Sequence, residues 1–162
     1  MNSRAVVALF SSLLLTGLHS DALAANDTNV TTEGIVVALP KSEALEFIAK
    51  QNLHTRAGDG LKELQKLVDQ KKAESIANPA VISKSGQHAL SDVDGTSLEV
   101  EALVPAIGGT IDTSVVFKHN GKRLVTRFKA KDGDVKFLGA VDSTDKEKNV
   151  TYLVFVRIRV SL

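Results

Sequence analysis

The side chains that could do chemistry are few and scattered. Beyond the first two dozen residues the histidines are His54, His88 and His119, and no two of them have ligand spacing. With no cysteine in the chain, no thiolate can complete a zinc set. Asp92-Val93-Asp94-Gly95 opens like a calcium loop, but its glycine comes too early and the closing glutamate is out of register, so it reads as a turn between strands. Ser85 and His88 lie close enough to suggest a nucleophile and a base. No Gly-x-Ser-x-Gly elbow surrounds them, and a turn serine is the simpler reading. Gly108-Gly109-Thr110 and Gly95-Thr96 lack the Lys-Ser/Thr of a phosphate loop. One tyrosine, six phenylalanines and no tryptophan give few platforms for stacking bases or sugars. The residues therefore predict no catalytic group, no cofactor and no metal: a non-enzymatic protein.

Composition narrows the partners. Lys+Arg number 20 and Asp+Glu 19, a balance that offers no basic footprint for nucleic acid. Residues 1–24 combine Arg4, an apolar run and Ala22-Leu23-Ala24, the pattern of a cleaved signal peptide. That run is shorter than the roughly 20 residues needed to span a bilayer, so the mature protein is expected not to cross the membrane. Export without disulfides fits a bacterial periplasmic or secreted protein, with association to the outer membrane left open.

The elements follow from period and punctuation. Residues 25–32 are polar and read as a flexible start, and 33–162 as a single domain. GIVVAL at 34–39 reads as a strand stopped by Pro40. Ser42 is placed to cap a helix over 43–51, with Leu45 and Ile48 inward. Residues 52–60 hold two glycines and read as a loop. Asp59 is placed to cap a second helix through Lys72, along which Leu61, Leu64, Leu67 and Val68 recur at helical spacing. After Asn78-Pro79 the signals change to strands: an apolar run at 80–82, a turn at 83–86, and strands at 87–93, 98–104, 111–118, 122–131, 135–141 and 150–162. Asn120-Gly121 is a strong hairpin signal. The last strand is apolar on both faces, with Tyr152, Val154, Val156 and Ile158 on one and Leu153 and Phe155 on the other. It should be central and covered on each side, while Arg157 and Arg159 should bring its end to solvent. The expectation is an α+β domain: a mostly antiparallel sheet of six or seven strands, packed on one face by two helices from the N-terminal half.

From the second helix onward the order of motifs resembles the C-terminal core of secretins, the outer-membrane channel subunits of type II and type III secretion and of pilus systems. The helix leads to Ile76-Ala77-Asn78-Pro79-Ala80-Val81-Ile82, like that family's strand after a helix. The turn around Ser85, Gly86 and Gln87 follows, then a strand from Gly95 with Pro105 after it, and a strand from Gly109. Asp132-Gly133 and Leu138-Gly139 are similar to the family's later hairpin, and 152–160 to its final strand. The chain departs from the family in lacking the long barrel hairpins. Residues 109–139 are instead a tight, cation-rich hairpin with Arg123, Arg127 and Lys129 on one face, which lipid-facing strands do not tolerate. The resemblance implies a truncated secretin-like domain at the bacterial envelope. It would bind protein partners in secretion or outer-membrane assembly through sheet edges or that basic face, with homo-oligomerisation left open. The alternative is a periplasmic small-ligand binding module with its pocket between helices and sheet.

Overall fold

The computed structural model describes residues 28–105, 109–145 and 148–161. The expected leader at 1–24, the first residues of the polar start, Gly108, two residues of the charged 142–148 loop and Leu162 lie outside these. The described residues form β1 (Asn29–Pro40), α1 (Lys41–Gln51), α2 (Ala57–Asp69), β2 (Glu74–Ala77), β3 (Ala80–Lys84), β4 (His88–Val93), β5 (Thr96–Leu103), β6 (Ile111–His119), β7 (Lys122–Ala130), β8 (Val135–Asp142) and β9 (Val150–Ser161). The mostly antiparallel α+β class is as expected. The strands number nine among the described residues, not six or seven, and they form two sheets rather than one.

The first sheet has the order β2-β1-β9-β8, with β3 also on β1; the second has the order β4-β5-β6-β7. β1 and β9 pair over their whole length, from Asn29 opposite Ser161 to Pro40 opposite Val150. β2 and β3 lie end to end along the other edge of β1. Asn78-Pro79 divides them because proline has no N–H to give to a ladder. Its carbonyl still serves, accepting from Gly34 N at 2.7 Å. A Cβ on Gly34 would stand 3.0 Å from the Pro79 ring, so glycine there lets the proline sit against β1.

The two sheets stack face to face. Val36, Val154, Val156 and Ile158 from the first meet Leu98, Val100, Val115 and Phe117 from the second. Outside the first sheet lie the helices, where Leu61 and Leu64 of α2 and Ala44 of α1 cover Val37, Leu39, Leu153 and Phe155. β9 is therefore covered on both faces, as its sequence requires.

Several expectations need correction. Residues 29–32 are not a loose start: Val30 and Thr32 alternate inward and are fully buried between β3 and β9. α1 begins at Lys41 with no side-chain cap from Ser42, and Leu45 is 61% exposed because Ala44 takes the inward position. α2 begins at Ala57 inside the expected glycine loop and ends at Asp69, short of Lys72. Space demands glycine at position 60 of this helix: a Cβ there would fall 2.1 Å from Cδ2 of Leu53, which is fully buried. His119, expected in a turn, closes β6 and is buried.

Candidate functional site

The helices cover only half of the first sheet's outer face. In β1 both faces are buried from Val36 to Leu39, whereas from Asn29 to Ile35 only alternate residues are buried. β9 changes in the same way at Arg157. The uncovered half is a groove of about 1020 Å³. Its floor crosses the whole sheet, from Ser75, Asn78 and Ala80 at one edge, through Glu33, Ile35 and Arg157, to Val135 and Lys136 at the other. The first half of α2 forms the wall, with Arg56, Gly58, Asp59 and Lys62. A Cβ on Gly58 would meet no atom within 4 Å, so the wall is open there.

The groove carries both signs of charge. Glu33 lies directly opposite Arg157 in the ladder and pairs with it at 3.4 Å, with Arg159 at 3.7 Å. Arg56 donates two bonds to Asp59 at the start of α2. Asp134 accepts from Lys131 N at 2.9 Å and pairs with Lys136 at 3.2 Å, and the backbone bond first, then the lysine, holds its carboxyl below the usual range. Thr55, which also lines the groove, donates its hydroxyl to Asn52 O. This arrangement suits recognition: ion pairs on the floor and at the start of α2, and an apolar strip of Ile35, Val37, Ala57 and Leu61. Among the described residues no group of three or more His, Cys, Asp or Glu could hold a metal.

The residues singled out in the sequence fall elsewhere, mostly in junctions. Asn78 does line the groove, and Pro79 stands next to it. Ser85 is buried, its hydroxyl accepting from Val104 N at 2.9 Å, and Gly86 donates to Ala102 O. These bonds, with Gln87 N to Lys84 O, stitch the passage from β3 in one sheet to β4 in the other. Asp94-Gly95 and Asn120-Gly121 turn with positive φ at both residues, the geometry of two-residue hairpins. Pro105 is half-buried after β5, and Gly109 is exposed before β6. Asp132 accepts from Val160 N and Gly133 donates to Ile158 O, which docks the β7–β8 turn on the end of β9. Gly133 also lines the groove. Leu138 and Gly139 form a bulge in β8, where Leu124 approaches within 3.6 Å of a Cβ built on Gly139.

Arg123, Arg127 and Lys129 share the outer face of β7, but that face is mixed in charge. Arg127 is held by both oxygens of Asp112 at 2.9 Å, which lowers that carboxyl's pKa. Nearby His88 bonds Glu99 at 2.8 Å, the first cause of a lowered Glu99 pKa. Ser85 is turned to backbone and His88 to Glu99, so they form no catalytic pair.

Sequence reasoning missed Glu33, Gly58 and Asp59 as groove residues. The available signal was the arginine pair of β9, which marks where helical cover stops. Among the described residues no helix is long and apolar enough to cross a membrane. Compared with protein families, curated proteins and solved structures, the chain finds no match in any of the three.

Proposed function

We propose that this chain is an exported, non-enzymatic binding protein of the bacterial envelope, a secretin-like domain that holds an extended segment of a protein partner in the groove between α2 and the first sheet. The observation that carries the reading is the shape of that groove. Drug-sized ligands favour enclosed, mainly apolar pockets of roughly 300–1,000 Å³. This groove is open, carries ion pairs on its floor and wall, and runs from one sheet edge to the other. Four strands at about 4.8 Å spacing give a floor crossed by only four or five extended residues, a length typical of a recognition segment rather than of a metabolite. The paired charges on the floor give a peptide alternative partners for its own charged side chains, and partner exchange favours specificity over raw affinity. The secretin-like part of the reading rests on the resemblance of the quoted motifs, most of whose residues lie in turns and junctions, with Leu138 and Gly139 at a bulge in β8.

Selection of peptides from a random displayed library against the purified chain tests this directly. Selected peptides should bind wild type and lose about tenfold or more in affinity to Gly58→Trp, a change at a position where an added Cβ meets no atom within 4 Å. Selection of no peptide above background, or binding indifferent to Gly58→Trp, contradicts the reading. A thermal-shift screen in which a metabolite, and no peptide, stabilises the chain would favour the small-ligand alternative.

A further inference from the structure

The geometry points to the outer face of the second sheet as the surface on which a second copy of this chain docks, face to face, about a twofold axis. This inference does not depend on the groove. Cross-strand register sets that face out in rows: Asp92, Ser97, Lys118 and Arg123 in one, Leu90, Glu99, Val116 and Val125 in the next. Among the described residues no helix covers them. Leu90 is 62% exposed and Val125 59%, at opposite ends of one row, while Leu103 is exposed at the far end of β5.

Among the described residues, the charges of this face outside any ion pair within 4 Å are divided across the strands: β4 and β5 contribute Asp92 and Glu101, and β6 and β7 contribute Lys118, Arg123 and Lys129, while Glu99 and Asp112 are already paired with His88 and Arg127. A twofold axis lying in the face, parallel to the strands and between β5 and β6, keeps each row and reverses its order. β7 of one copy then lies over β4 of the other. Leu90 meets Val125 of the second copy and Asp92 meets its Arg123, and both contacts are made twice, as an isologous interface requires. An axis across the strands would set β7 over β7 and stack cation on cation. Aligned sheet packing at about 30° and 10 Å accommodates this arrangement. The helices lie on the far side of the first sheet, so each copy's groove faces outward and the dimer is a bivalent binder.

Sedimentation equilibrium of the purified chain tests the surface. A reversible monomer–dimer equilibrium is expected, with Val125→Asp and Arg123→Asp each weakening it by about tenfold or more at unchanged melting temperature. The paired swap Asp92→Arg with Arg123→Asp should recover most of the affinity, because the opposite charges face each other again. A monomer at concentrations near 1 mM, a dimer indifferent to both single changes, or a swap that fails to recover would overturn the proposal. Occupation of the Leu90–Val125 row by a different protein in place of self-association would overturn it too.

Discussion

His119 shows how one residue fastens two sheets. Its Nδ1 lies 2.7 Å from the Thr96 hydroxyl and its Nε2 3.0 Å from the Asn120 amide, and its ring meets Tyr152 of the other sheet edge-on at 4.6 Å. A neutral ring, donating through one nitrogen and accepting through the other, satisfies both contacts. Burial lowers its pKa below the usual 6.5, so the neutral form belongs to the fold. That contribution is complete above about pH 6.5 and is lost as pH falls through the folded value. Melting temperature should therefore drop between pH 7 and pH 5, and His119→Gln should flatten that slope; an unchanged slope would remove His119 from the account. Gly60 sets two magnitudes against each other. Alanine in a helix gains about 1 kcal/mol over glycine, but overpacking against the buried Leu53 costs about 1–3 kcal/mol. With its Cβ 2.1 Å from Leu53, Gly60→Ala should lower stability in denaturant melts, whereas Gly58→Ala, in open space, should raise it. Thr113 Oγ1 is buried among apolar residues without a hydrogen-bond partner among the described residues. Thr113→Val should accordingly gain about 1 kcal/mol, and a loss of that size would reveal a bond not seen here.

At the scale of elements, β1 and β9 are the axis. Val154 and Val156 are fully buried between the sheets, so either changed to alanine should cost about 2–4 kcal/mol by the cavity argument. Leu45→Ala, on the exposed face of α1, should fall within about 0.5 kcal/mol. Equal losses at both sites would mean that the helix is seated differently. Much of this was legible. The two-faced apolar pattern of 152–156 announced a central strand, Asn120-Gly121 announced its hairpin, and Leu61 and Leu64 announced the buried stripe of α2. What was not legible depends on contacts between distant segments. Two stacked sheets and one sheet share the same period of two, so alternation could not tell which strands face each other. β2 is four residues with only Ile76 and Ala77 turned toward apolar neighbours, too little to set it apart from β3 in what the resemblance gave as one strand over 76–82. Gly58 and Gly60 read as loop because glycine disfavours helix; that Gly60 makes room for the buried Leu53 is invisible in the local sequence. The groove was half legible: Arg157 and Arg159 showed where the apolar face ends, but not that Glu33 and the first turn of α2 would converge there.

The described residues form three layers, with helices outside the first sheet and no described element over the far side of the second. That polarity separates two tasks, a groove under α2 on one side and a self-complementary sheet face on the other. The central claim is that the groove is where a partner segment binds. Backbone amide chemical-shift mapping of the labelled chain, titrated with a library-selected peptide, tests it most directly. The account predicts shifts concentrated at Gly34, Ile35, Gly58, Asn78, Val135 and Lys136, which line that groove. Shifts centred instead on Leu90, Val116 and Val125, or spread evenly over the chain, would contradict it.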